Sequence, residues 1–175
     1  MEMNQLILSL GSNIKSRSLS IIKACQMISI DIGTISKVSK VYSTPPLGLK
    51  SEISFLNCCI LVETTLTPNE VLLGTQKIEK TLGRTQKSTG KTYASRTIDI
   101  DLVFFNKQQI HSPELVIPHV LFRERKFVLE PLNDLVNNYI DPISHLTVKQ
   151  LLDNCKDNST LAIHENQFLD TLYKK

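Results

Sequence analysis

The run Thr97 to Phe105, Thr-Ile-Asp-Ile-Asp-Leu-Val-Phe-Phe, constrains the fold more than any other stretch of the chain. In an extended strand, residues two apart share a face. Ile98, Ile100, Leu102 and Phe104 are therefore expected to line one side and pack on helices, while Asp99 and Asp101 project together from the other. The two carboxylates would stand about 6.5–7 Å apart at the backbone, given a rise of about 3.3 Å per residue. At an effective dielectric of about 20, two bare charges at that distance repel by about 2.5 kcal/mol. A strand accepts that cost easily only where both carboxylates are solvated or share cations. Mg²⁺ suits the second case, because it binds one or two carboxylates together with substrate phosphates. An ordinary solvated strand face is the plainer alternative for an Asp-x-Asp taken alone.

The chain on either side supplies the rest of a sheet. Gln5 to Leu10 is a short apolar run ending at Gly11-Ser12-Asn13, which reads as a buried strand followed by a turn. From about Ser18, Leu19, Ile22, Cys25 and Ile28 recur at helical spacing. After Gly33, Thr34 to Ser43 alternates loosely with Ile35, Val38 and Val41, suggesting a second strand. Thr44-Pro45-Pro46-Leu47-Gly48 cannot continue it, since two prolines remove ladder donors. Phe55 to Leu66 resumes as a third strand. A second helix is signalled by Thr67 as cap, Pro68 at the first position and Glu70 completing a capping box. Val71, Thr75, Ile78 and Leu82 form its expected buried stripe, and Gly83 ends it. The predicted order is β-α-β-β-α-β, the split βαβ plan of α+β ferredoxin-like folds with a mainly antiparallel sheet. Beyond it, Lys107-Gln108-Gln109 looks like a hairpin turn and Val148 to Leu152 like a short helix. With 175 residues and no visible boundary, one domain over 1–175 is expected, its core about 4–135 and a C-terminal extension about 136–175.

Composition narrows the class. The 41% hydrophobic content is globular, and 20 basic against 17 acidic residues, net +3, is too small a surplus for wholesale nucleic-acid binding. No segment reads as a signal peptide or approaches the roughly 20 apolar residues that cross a bilayer. Cys25, Cys58, Cys59 and Cys155 form no Cys-x-x-Cys pair. Cys58 and Cys59 are strand neighbours pointing to opposite faces, so buried reduced thiols and a cytoplasmic location are expected.

Two long loops, about 44–54 and 83–96, flank the sheet where they can close over one site. The second contains Arg84, Lys87, Lys91 and Arg96 and no acidic residue. A basic loop leading into a di-carboxylate strand is what a magnesium polyphosphate requires: carboxylates hold metal, metal bridges phosphate oxygens, and the cations neutralise the remainder. Phe55 and Asn57 share a strand face, a pairing that suits a flat nitrogen heterocycle, although ordinary strand packing is the plainer alternative. Gln76 and Glu79, three apart on the second helix, share a face read as an exposed polar one. His119 follows Pro118 and precedes Arg123, Arg125 and Phe127.

Taken together the motifs resemble those of the 6-hydroxymethyl-7,8-dihydropterin pyrophosphokinases of the folate pathway. The resemblance is carried in order by Leu-Gly-Ser-Asn at 10–13, Tyr-Ser-Thr-Pro-Pro-Leu-Gly at 42–48, Phe-Leu-Asn at 55–57 and Gln-Lys-Ile-Glu at 76–79. It continues through Gly-Arg at 83–84, Ser-Arg-Thr-Ile-Asp-Ile-Asp-Leu at 95–102, Pro-His at 118–119 and Arg-Lys-Phe-Val-Leu-Glu-Pro-Leu at 125–132. It implies transfer of the β,γ-diphosphate of MgATP to the pterin's hydroxymethyl oxygen, giving AMP. It further implies that Asp99 and Asp101 hold two Mg²⁺ and that Arg84 and Arg96 act with them in catalysis. Lys87, His119 and Arg125 would contact ATP with those arginines, and Gln76, Glu79 and Leu102 would lie near the nucleotide. Asn57 would read the pterin edge between Phe55 and Phe127, with Thr44, Pro45 and Leu47 completing the pocket. Small-molecule substrates, no nucleic acid or membrane, and a monomer are implied. The chain departs from the family pattern at Gln86, Lys91, Tyr93 and Val120. Two rival classes are a non-catalytic ferredoxin-like module binding a ligand or RNA, and another Mg²⁺-dependent phosphotransferase. Two carboxylates repel a phosphate backbone unless metal intervenes, which weighs against RNA.

Overall fold

A computed structural model describes residues 3–14, 16–44, 54–83 and 97–164. Its framework is an antiparallel sheet whose strands arise from the apolar runs identified above. β1 (Asn4–Ser12) pairs with β4 (Phe55–Thr64) on one side and β5 (Asp99–Phe105) on the other. β2 (Thr34–Val38) and β3 (Val41–Thr44) both pair along β4, so the expected second strand is one path broken at Ser39-Lys40. Ser39 keeps the break bonded, donating its N–H to Cys59 O and accepting the Cys59 N–H on its hydroxyl. The order β5-β1-β4-β3, with α1 (Arg17–Asp31) and α2 (Pro68–Thr81) as crossovers, is the expected ferredoxin-like plan.

The helices follow their signals with one shift. In α2 the Thr67 hydroxyl accepts the Glu70 N–H while the Glu70 carboxylate accepts the Thr67 N–H, and Gly83 closes the end at φ +96°. Val71, Thr75 and Ile78 are buried as expected; each apolar member of that stripe stabilises by about 1.5–3 kcal/mol. In α1 the buried face is Ser20, Ile21, Ala24, Cys25 and Ile28, and Leu19 is 49% exposed. The three-residue steps from Leu19 to Ile28 drift about 60° each at 3.6 residues per turn, so they cannot all face inward.

Two apolar layers sandwich the sheet. Leu6, Leu8, Leu10, Cys58, Ile60, Ile98, Ile100 and Leu102 pack with α1 and α2. Ile7, Cys59, Leu61, Val103 and Phe104 pack on the opposite side with α3 (Lys126–Val136) and α4 (Val148–Asp153). Phe104 thus lies on the face opposite to that expected. Leu8 pairs with Leu102 and Ile7 with Phe104, leaving Val103 as the extra residue of a β-bulge. The bulge reverses the alternation, and Phe105 rather than Phe104 points toward α1 and α2.

Two further corrections concern connections. Gly11 and Ser12 belong to β1 rather than to a turn. Lys107 to Gln109 does not fold a hairpin onto β5; it leads to β6 (Ile110–His111), which pairs with β7 (Val116–Ile117) in a separate small sheet. The extension adds α4, capped by a Thr147–Gln150 box, and β8 (Ala162–His164) along the outer edge of β3. Within it Asp141 is fully buried, its carboxylate gripping Arg123 Nε and Nη2 at 2.8 Å each. Among the described residues no helix is long and apolar enough to cross a membrane, and all four cysteines are free. Burial raises the Cys25 thiol to about 12 and pushes Cys58 and Cys59 up as well, the ordinary state of inert core thiols.

Candidate active site

Register places the candidate residues in rows on the α3 side of the sheet. Asp99, Gly11, Asn57 and Tyr42 lie opposite one another across β5, β1, β4 and β3. The next row is Asp101, Ser9 and Cys59, and the third, Phe104, Ile7 and Leu61, is apolar and covered by α3. The apolar packing of α3 reaches Cys59 in the second row, and the polar side chains lie beside and beyond it.

Asp99 and Asp101 share this face as the alternation requires. Asp101 has a side chain 36% exposed, and the fully buried Ser12 hydroxyl donates to Thr97 O at 2.6 Å, tying the approach to β5 onto the end of β1. Their donor set is two hard carboxylates, and among the described residues no group of three or more His, Cys, Asp or Glu converges. Two oxygen donors that leave positions for water and phosphate fit Mg²⁺ and not a closed, soft-ligand cage.

His119 is aimed at this pair. Its backbone N–H donates to Val103 O at 3.1 Å, and its Nδ1 accepts the Leu121 N–H at 3.2 Å. An accepting Nδ1 puts the ring proton on Nε2, which lies 4.0 Å from Asp101 Oδ2. Burial lowers the His119 pKa; Asp101 pulls the other way, and Arg125 adds to the lowering. The imidazole is thus kept neutral at physiological pH, with one N–H donor turned toward the aspartates.

The Asn57 end is built differently. Asn57 is buried, and its amide donates to Thr44 Oγ1 at 3.1 Å. Gly11 makes the room: a Cβ there would come within 3.1 Å of Asn57 Oδ1. Phe55, half-buried, pairs with Thr44 at the start of β4. Phe127 stands in the first turn of α3 against the second apolar layer, with the Arg125 guanidinium 5.8 Å from its ring centre.

One expectation changes. Glu79 is no exposed helix residue: it is 8% exposed, and its carboxylate accepts the backbone N–H of Ile100, between the aspartates, at 2.8 Å. Leu102, as the alternation requires, turns its side chain away from the aspartates into the layer under α1 and α2. Gln76 is half-buried on α2, three residues before Glu79. Pro45, Leu47, Arg84, Lys87 and Arg96 lie outside the described residues, as do Gln86, Lys91 and Tyr93. Sequence reasoning passed over Ser9 and Gly11, whose register beside Asp101 and Asn57 would have followed from extending β1 by two residues.

Comparisons with known proteins converge on one family. Residues 7–137 match the model of 7,8-dihydro-6-hydroxymethylpterin-pyrophosphokinase. A 2-amino-4-hydroxy-6-hydroxymethyldihydropteridine pyrophosphokinase of Porphyromonas gingivalis is 40% identical over 129 residues, 73% of this chain and 88% of that one. The Bacillus subtilis protein of the same name is 37% identical over 129 residues, 73% and 75% of the two chains. The folic acid synthesis protein fol1 of Pneumocystis carinii is 33% identical over 171 residues, covering 95% of this chain but 23% of that protein. Among solved structures, Plasmodium falciparum HPPK-DHPS superposes with a TM-score of 0.69 at 18% identity, over 87% of this chain and 44% of that one, a likeness of fold.

Proposed function

The chain belongs to the 7,8-dihydro-6-hydroxymethylpterin-pyrophosphokinase family, and from that premise we propose how its residues share the reaction. The activity is transfer of the diphosphate of ATP to the hydroxymethyl group of dihydropterin, a Mg²⁺-dependent step of folate biosynthesis. In that transfer the hydroxymethyl oxygen bonds to the β-phosphorus, the bond from that phosphorus to the α–β bridging oxygen breaks, AMP leaves, and the hydroxyl proton is lost.

The observation that carries the assignment of residues is the row Asp99–Gly11–Asn57. Two strand spacings of about 4.8 Å separate the Asn57 and Asp99 strands, so about 9.6 Å lies between them. A two-ring pterin fits that span with its amide edge on Asn57 and its hydroxymethyl end toward the aspartates. Asn57, held by Thr44 on one side and given space by Gly11, presents a fixed acceptor and donor. Phe55 and Phe127 would sandwich the ring, with Thr44, Pro45 and Leu47 closing its edge. Asp99 and Asp101 would hold two Mg²⁺, which when bound neutralise and orient the phosphate oxygens. His119 Nε2–H would donate to a phosphate oxygen, joined by Arg84, Lys87, Arg96 and Arg125. Glu79 acts on the nucleotide side through the Ile100 N–H, fixing the strand segment between the carboxylates. Gln76 would approach the nucleotide from the same helix, while Leu102 would contribute only backbone there. Catalysis is then positioning and charge neutralisation, as phosphoryl chemistry requires. A cytoplasmic monomer is the corresponding setting, and the free thiols, three of them buried, support the reducing compartment but not the oligomeric state.

The test is AMP release from ATP with and without hydroxymethyldihydropterin. AMP is expected only with the pterin and Mg²⁺ present, and with its rate lost in Asp99→Ala and Asp101→Ala. ADP as product, or undiminished turnover in either variant, would refute the assignment.

A further inference from the structure

Resting on the pterin pocket proposed above, we infer that Tyr42 and Asp134 form a positioning pair that holds α3, and with it Phe127, at the correct height over Asn57. Tyr42 is 7% exposed and stands directly opposite Asn57 on the neighbouring strand. Its hydroxyl donates to Asp134 Oδ2 at 2.8 Å. The same carboxylate accepts the Lys40 backbone N–H at 3.3 Å and lies 3.8 Å from the Lys40 ammonium. Asp134 follows Phe127 by seven residues, so both leave the same side of α3, about 10.5 Å apart along its axis.

The remaining contacts of α3 leave this link a distinct task. Val128, Leu129, Leu132 and Leu135 press the helix onto the sheet. Apolar contact is non-directional, and it resists lifting far more than it resists sliding or rotation about the helix axis. Directional bonds fix those two motions. Near the start of α3 the Lys126 N–H donates to Asp157 Oδ2 at 3.0 Å, which ties the helix to the C-terminal extension, while toward the sheet the Cys59 thiol makes only a weak contact with Val128 O at 3.8 Å. Near its end the contact is the charge-assisted bond from Tyr42, reinforced by Lys40. On β3, Tyr42 and Thr44 are two apart and share a face. One strand therefore holds the Asn57 amide through Thr44 and the helix bearing Phe127 through Tyr42. Cutting the Tyr42 link loosens the upper wall of the pocket over its floor, because the apolar contacts that remain do not fix its position along the sheet. The aspartates, on β5 two strands away from β4, are left as they were.

Tyr42→Phe, Asp134→Asn and the double variant test this, with Asp134→Glu as the conservative replacement. Dissociation constants for the pterin and for MgATP are measured separately, together with the thermal midpoint. Each single variant is expected to weaken pterin binding about three- to tenfold, less than the full worth of one charged hydrogen bond because the link acts on the pterin only through α3, with MgATP binding changed less than about twofold. The double variant is expected to lose no more than the worse single, since both remove one link, and Asp134→Glu to recover part of the loss. A fall in thermal midpoint with pterin affinity intact would make the pair merely structural and overturn the inference. Additive losses, or equal losses for both ligands, would overturn it too. Asn57→Ala, run alongside, separates the two levels. If Asn57→Ala loses pterin binding and Tyr42→Phe does not, the positioning pair is wrong and the pocket stands. If Asn57→Ala leaves pterin affinity unchanged, the pocket itself is misplaced.

Discussion

Replacing Asp141 by Asn would test how far the C-terminal extension supports the site. The Asp141 carboxylate is fully buried and accepts Arg123 Nε and Nη2 at 2.8 Å each, the Ser144 N–H at 3.1 Å and the Ser144 hydroxyl at 2.5 Å. An asparagine would remove the charge and turn one acceptor into an NH₂ group facing those donors. Breaking a buried ion pair from one side costs about 3–5 kcal/mol. The Arg123 side chain is 23% exposed and can rehydrate in part, so the lower end, about 3 kcal/mol, applies. For a chain of this size each kcal/mol moves the thermal midpoint by about 2–4 °C, which gives a fall of about 6–12 °C. Arg123 sits in the 3-10 turn Phe122–Glu124 between His119 and Arg125, so activity should fall with stability. The pH dependence adds a second check. Burial alone would push the Asp141 carboxyl up, but hydrogen bonds from Arg123 and Ser144 and the Arg123 charge outweigh it and hold the carboxyl below its ordinary value. A depressed folded-state pKa stabilises fully above the unfolded value, near 3.8, and that stability is lost as pH falls through the folded value. The difference between the native protein and the variant should therefore be constant at neutral pH and shrink in acid. Circular-dichroism melts at several pH values measure both effects. A midpoint change under about 2 °C, less than one kcal/mol, or a gap that does not close in acid, would refute the reasoning.

Glu79→Ala should strand the Ile100 N–H, cost about 1–3 kcal/mol and weaken MgATP binding more than pterin binding, with Glu79→Gln restoring most of both; melts and separate ligand titrations decide it. Gly33→Ala should be damaging, since its Cβ would meet Glu63 O at 2.3 Å and force β2 from β4; a urea midpoint unchanged from the native one would contradict that. Thr67→Ala should cost about 1 kcal/mol through the lost α2 cap, read from the same urea titration.

What the sequence revealed and concealed divides along physical lines. The second helix was legible because its cap, first-turn proline and terminal glycine are all local, and each appears where expected. The shared face of Asp99 and Asp101 was legible because strand alternation needs only two residues. Glu79 was misread because its partner is a backbone N–H 21 residues later, and a polar pair on a helix otherwise looks solvated. Asp141 gave no signal, since its cage comes from a turn of its own and from Arg123, 18 residues earlier, with no periodicity to mark it. Tyr42 and Asp134 are 92 residues apart, and only the packing of α3 brings them together.

The bulge at Val103 determines where this strand can change length. Deleting Ile100 would make the two aspartates adjacent and send them to opposite sides, ending any shared cation site. Deleting Val103 is different, because Leu102 and Phe104 already oppose the successive residues Leu8 and Ile7. Without it β5 becomes a regular strand in which both aspartates and both phenylalanines keep their present faces. Single-residue length variation in this strand should therefore be confined to that one position, and a relative one residue shorter there would retain the whole arrangement.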